Sequence, residues 1–134
     1  MFYRFCAEVP LRWVDVDAVG VVNNAVYLSL LEQARYLYFE HLGLLSGPML
    51  PFLLAETNVK FVRPGKLGMK VEVAAATTRL GNRSFAMQYE VRGDEQVLVT
   101  ATAALVFVDA QHQPCAIPEA WRQAMAEFDA PAAG

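Results

Sequence analysis

Asp15 and Asp17 stand one residue apart, and Gly20, Asn23, Asn24 and Tyr27 follow the second acid within ten positions. A long amphipathic stretch begins at the asparagines. The N-terminus of a helix there would collect free backbone N–H groups and the positive end of the helix dipole. A carboxylate beside such a terminus can do acyl chemistry: the N–H groups polarise a carbonyl while the acid attacks it or activates a water. Asp17 taken alone also fits a turn cap, because aspartate side chains bond backbone groups two residues on. Asp15 reads as structural, held by loop amides or by Arg12. Glu32 and Arg35 are three apart on the helix and suit an ion pair.

These groups need a scaffold. Residues 2–9 are mostly apolar or aromatic and end at Pro10, which fits a strand near a sheet edge. Asp15 to Val22 reads as a loop. Asn23 or Asn24 supplies an N-cap. Tyr27, Leu30, Leu31, Ala34, Leu37, Tyr38 and His41 then recur at helical spacing, one face of about five turns, which Gly43 ends. Gly47–Pro48 breaks the loop that follows. Strands are expected over 52–62, closed by Arg63-Pro64-Gly65, over 69–80, over 85–91 and over 97–108, with turns at Gly81–Asn82 and Gly93–Asp94. The last strand is apolar enough to be central and covered on both faces. Residues 119–128 form a short helix, and the tail 129–134 is expected to fray. This order predicts an α+β fold, one long helix lying on a curved antiparallel sheet, in a single domain spanning 1–134.

Composition narrows the function classes. The chain is 55% hydrophobic and 19% charged, an apolar surplus that fits a core continuing into a subunit interface. A net charge of −3 is no nucleic-acid footprint. Yet residues 58–83 hold Lys60, Arg63, Lys66, Lys70, Arg79 and Arg83 against the single acid Glu72. That segment either serves an anionic ligand or guards a sheet edge. His41 and His112 lack metal-ligand spacing, so no metal site is expected. Cys6 and Cys115 have no CxxC spacing and read as buried free thiols of a reducing compartment. With neither a signal-like apolar region nor a membrane-length apolar run, the expectation is a cytoplasmic protein without membrane insertion.

The stretch Arg12-Trp13-Val14-Asp15-Val16-Asp17, with Gly20, Val22-Asn23-Asn24 and Tyr27 in register and Glu32-Gln33-Ala34-Arg35 on the helix, resembles the motif of the hotdog-fold thioesterases, in the 4-hydroxybenzoyl-CoA thioesterase group. Phe61-Val62-Arg63-Pro64 and Ile117-Pro118 match that family's strand-ending turn and last-helix entry. The resemblance implies a hotdog fold: a long central helix wrapped by a curved five-stranded antiparallel sheet. It implies an acyl-CoA thioesterase, a hydrolase that converts a fatty-acyl or aroyl-CoA to the free acid and coenzyme A. Asp17 would be the nucleophile or general base, the Asn24 backbone N–H the donor to the thioester oxygen, and Tyr27 a hydroxyl near the site. Gly20 and Val22 would line the substrate, and Arg63, Lys66, Arg83 and Ser84 would meet the coenzyme A phosphates. No cofactor is implied, since coenzyme A is part of the substrate. A homo-oligomer is implied, a dimer or a tetramer made of two dimers, with the site between subunits.

One departure is Val21, where many members carry a histidine. Another hotdog clade places its carboxylate on the helix, which makes Glu32 the alternative acid. Two rival activities remain open to the sequence. A hotdog dehydratase needs a histidine beside an acid, and residues 15–27 contain none. A non-catalytic acyl-CoA-binding domain would use the basic segment equally well.

Overall fold

The computed structural model describes residues 2–47 and 49–133; Met1, Gly134 and the Pro48 of the expected Gly47–Pro48 break lie outside the described residues. Strand β1 spans Phe5–Glu8, helix α1 Val26–His41, β2 Phe52–Phe61, β3 Val71–Leu80, β4 Ser84–Gly93 and β5 Gln96–Phe107. Helix α2 spans Glu119–Asp129, and Ala132–Ala133 form a short β6. The five longer strands pair antiparallel in the order β1-β3-β4-β5-β2, and β6 adds a parallel pairing to the end of β3. The class is α+β, as the order of elements predicts.

Helix α1 starts later than the asparagines because Asn23 holds a turn ahead of it. Its side-chain oxygen accepts the Ala25 N–H at 3.1 Å and its carbonyl accepts the Val26 N–H at 2.9 Å. The far end closes at Gly43, φ +74°, with the Leu44 N–H returning to the Phe39 carbonyl at 3.2 Å. The buried face carries Tyr27, Leu30, Leu31, Ala34, Tyr38 and Phe39, and also Arg35. Phe39 meets Phe52, Phe85 and Trp121 with ring centroids 5.2, 5.9 and 5.0 Å away. Each of the buried phenylalanine rings contributes about 1.5–3 kcal/mol by area removed from water. This cluster seats the helix on the sheet.

Three expectations change in the sheet and at the cysteines. Strand β5 is not covered on both faces: Thr100, Thr102, Ala104 and Val106 alternate with buried neighbours and face the uncovered side of the sheet. The second hairpin turns on Asp94 and Glu95 rather than Gly93, both with positive φ, 49° and 70°, the pair that matches strand twist. Cys6 is exposed on edge strand β1 and Cys115 is half-buried; both are free.

The tail from 129 onward is tied down where fraying is expected. The Asp129 carboxylate accepts the Thr77 N–H at 2.8 Å and the Tyr38 hydroxyl, and Ala132–Ala133 pair with Arg79–Leu80. Burial and the Asp129 carboxylate push the Tyr38 phenol far up, so it stays protonated and donates. Asp129→Ala leaves the Thr77 amide without an acceptor and the Tyr38 phenol with only the Thr77 hydroxyl, 2.9 Å away. Loss of about 1–3 kcal/mol is expected in urea unfolding; an unchanged midpoint would show the latch to be idle.

Candidate active site

The acidic loop is built from local hydrogen bonds. Asp17 Oδ1 accepts the Val19 N–H at 2.9 Å and the Val21 N–H at 3.1 Å. The Asp17 N–H reaches the Val21 carbonyl at 2.9 Å, and the Gly20 N–H returns to the Asp17 carbonyl at 3.0 Å. Gly20 makes the reversal at φ +80°, where a side chain would be strained. The Asp17 side chain is exposed, and its Oδ2 has no hydrogen-bond partner among the described residues. Turn-capping therefore occupies one oxygen of the carboxylate and leaves the other open.

Asp15 has the structural place expected of it. It is buried and takes the Arg12 N–H at 2.8 Å and Arg12 Nη2 at 2.9 Å. The hydrogen bond from the Arg12 side chain holds its carboxyl below the usual carboxylate range. Its carbonyl accepts the Asn23 N–H at 2.9 Å, which joins the loop to the start of the helix.

The loop docks on the turn after β2. The Val22 N–H donates to the Gly65 carbonyl at 2.8 Å, the Leu67 N–H to the Gly20 carbonyl at 3.1 Å, and Val21 bridges Lys66. A cavity of about 240 Å³ opens at this junction, lined by Val21, Val22, Asn24, Tyr27, Phe61 and Arg63, among others. The Asn24 N–H has no acceptor among the described residues. Tyr27 is 2% exposed, and its hydroxyl lies against the Gly65 backbone without a well-formed hydrogen bond. Burial pushes the Tyr27 phenol up, so it is neutral near pH 7 and has a proton to donate.

The structure gathers Val22, Asn24, Tyr27 and Arg63 at this cavity, with Gly20 and Lys66 on the adjoining loop and turn. Asp17 belongs to that loop but is not among the residues lining the cavity. Arg83 and Ser84 are not brought there. The Arg63 N–H bonds the Leu98 carbonyl on β5, whereas Ser84 pairs with Val106, eight residues along the same strand, about 25 Å at strand rise. Arg63 Nη1 is itself bonded to the Val97 carbonyl at 2.9 Å. Glu32 is exposed and makes no ion pair with Arg35 among the described residues. Phe61 and Val62 read from the sequence only as a strand end; nothing in their spacing marks them as cavity walls.

Among the described residues no group of three or more His, Cys, Asp or Glu is placed to hold a metal ion, and no helix is long and apolar enough to cross a membrane. A model of the thioesterase-like superfamily matches residues 11–125. The acyl-acyl carrier protein thioesterase ATL3 of Arabidopsis thaliana is 29% identical over 90% of this chain and 67% of its own. The 1,4-dihydroxy-2-naphthoyl-CoA hydrolase of Nostoc punctiforme is 29% identical over 79% of this chain and 75% of its own. Among solved structures, a thioesterase from Thermus thermophilus complexed with coenzyme A and Zn superposes with a TM-score of 0.85, at 30% identity over 96% of each chain.

Proposed function

From the premise that this chain belongs to the thioesterase-like superfamily and is a thioester hydrolase, we propose that it cleaves a fatty-acyl or aroyl thioester of coenzyme A. Water enters; the free acid and coenzyme A leave. The observation that carries this reading is an unused donor at the cavity. The Asn24 N–H stands at the helix N-terminus without an acceptor, and the neutral Tyr27 phenol packs beside it with its hydroxyl buried against the Gly65 backbone. Donors placed before reaction stabilise an oxygen that gains charge as a carbonyl is attacked.

In this reading the thioester oxygen faces the Asn24 N–H beside the Tyr27 ring, lined by Val22 and reached past Gly20. The free Oδ2 of Asp17 then works in one of two ways. It attacks the carbonyl carbon to give an anhydride that water opens, or it takes the proton of a water that attacks. In both, the C–S bond breaks with its electron pair on sulfur. A thiolate leaves readily, so one carboxylate suffices without a strong acid. Lys66 and Arg63, beside the loop, supply positive charge for the coenzyme A phosphates. Release of free thiol from acyl- and aroyl-CoA measures the activity. Binding of these thioesters without thiol release would overturn the reading.

The site is taken to be completed by a second copy, in a cytoplasmic dimer or tetramer. Asp17 is open to solvent in one chain. Edge strand β2 leaves Leu53 53%, Leu54 45% and Phe61 52% exposed, together with a row of unpaired backbone groups on one side. A long apolar edge of this kind is a template for another strand. Pairing of β2 with the β2 of a second copy would join two sheets into one. Sedimentation equilibrium is expected to return a dimer or a tetramer; a monomer at assay concentration would remove the shared site.

A further inference from the structure

The side of the sheet turned away from the helices carries a block without charge. Thr100, Thr102 and Ala104 of β5, Ala86 and Gln88 of β4 and Ala76 of β3 alternate with core residues and point there. A surface left in water is usually about a quarter to a third charged, with both signs interspersed. A flat block of short, uncharged side chains suits contact with another sheet. Strand register orders it in rows. Ala76, Gln88, Thr102 and Asn58 lie side by side across β3, β4, β5 and β2. Ala86, Ala104 and Glu56 form the row on one side, and Glu90, Thr100 and Lys60 the row on the other.

The two outer rows complement each other. Lys60 ends one at β2 and Glu56 ends the other at β2; both are exposed, and neither makes an ion pair among the described residues. Tyr3 stands on β4 beside Gln88 and Glu90, its ring 5.9 Å from the Arg92 guanidinium carbon, and raises the Glu90 row. The matching β4 position in the opposite row is Ala86, which is small. A depression of about 360 Å³ lies in the same block, lined by Asn58, Lys60, Gln88, Thr100 and Thr102, among others.

We propose that this face packs on the same face of a second copy, about a two-fold axis along the row of Ala76, Gln88, Thr102 and Asn58. The axis exchanges the outer rows. It lays Lys60 of each copy over Glu56 of the other, Tyr3 over Ala86, and Thr102 against Thr102. The surface is distinct from the β2 edge, but the proposal rests on the edge pairing above for closure. With β2 strands paired about Asn58, the two axes meet at right angles and the contacts close into a tetramer, not an open fibre. Four strands at about 4.8 Å by about eight residues at about 3.3 Å make a face of roughly 500 Å². Two such faces bury roughly 1,000 Å², the threshold of a specific interface, and the tetramer makes that contact twice.

Sedimentation equilibrium of the wild type, Thr102→Glu and Thr102→Arg tests the face. Thr102 is exposed and lies on the axis, so either substitution sets like charges against each other across the contact. The wild type is expected to be a tetramer and each variant a dimer of half the mass, with an unchanged far-ultraviolet circular dichroism spectrum. An equal mixture of the two variants is expected to return to tetramer mass, because opposite charges then meet on the axis. Variants that stay tetrameric, or a mixture that stays dimeric, would overturn the proposal. So would a wild-type dimer whose mass neither substitution changes, which leaves the face to a different partner. The edge pairing fails separately: a wild-type dimer that both substitutions turn into monomers keeps the face contact and removes the β2 contact. A monomeric wild type removes both.

Discussion

Asp17→Asn is expected to lower kcat for acyl-CoA hydrolysis by on the order of 10²–10⁴, the usual contribution of a positioned general base, with a small change in KM. The substitution is chosen because the two oxygens of this side chain have different tasks. Asparagine retains an oxygen able to accept the Val19 and Val21 N–H groups that Oδ1 holds at 2.9 and 3.1 Å. The loop therefore keeps its shape, and thermal melting should match the wild type. What disappears is the charge and basicity of Oδ2. Asp17→Ala removes both, so it should lose activity and also loosen the loop, visible as faster amide exchange at Val19 and Val21. Thiol release measured for all three proteins separates the roles. Equal rates in wild type and Asp17→Asn would take the carboxylate out of the mechanism and turn attention to Glu32 on the helix.

The second large effect belongs to a residue with no side chain. Gly65 is buried in the turn after β2, and its carbonyl anchors the Val22 N–H at 2.8 Å. A Cβ built there would sit 2.6 Å from the Tyr27 hydroxyl oxygen, 3.0 Å from Val22 Cγ2 and 3.2 Å from Leu98 Cδ1. Tyr27 is fully packed and cannot swing clear, so Gly65→Ala must push the phenol, the Val22 backbone or both. Displacing a positioning group by about 1 Å can cost about 10² in rate. Overpacking a filled site adds about 1–3 kcal/mol of destabilisation. The expectation is a kcat/KM for acyl-CoA lower by roughly 10²-fold, together with a reduced urea midpoint. Tyr27→Phe/Gly65→Ala tests the cause, because removing the hydroxyl opens the space the methyl needs and should recover stability. A single Gly65→Ala protein of wild-type stability and rate would show that the turn yields, and that Tyr27 is not held against it.

The basic segment shows how a linear reading overreaches. Arg63, Lys66, Arg83 and Ser84 look like one cluster along the chain. Strand β3 runs the length of the sheet between Lys66 and Arg83 and carries the later pair to the opposite end. In an antiparallel sheet, a gap of one strand length in sequence is a gap of one strand length in space. A site drawing on both ends needs more than one chain.

Much of the scaffold was legible because it rests on short-range rules. The periodic apolar face of α1, the glycine that ends it and the alternation in β4 are set by repeats of 3.6 and 2 residues, and the structure follows them. The Asp17 turn is likewise local: two amides within four residues and one glycine at positive φ. What the tertiary structure alone decided depends on which distant segments meet. Arg35 reads as half of an ion pair with Glu32, because helical spacing permits it; it bonds Tyr89, fifty-four residues away, instead. The tail reads as loose because its residues are small, but Asp129 finds the Thr77 N–H and the Tyr38 hydroxyl. The Tyr27 hydroxyl packs against the turn after β2 because Gly65 has no side chain there. Spacing along a chain reports bonds within a turn or two; burial of a charge, a latch or a cavity wall is settled by packing between elements, which spacing does not encode.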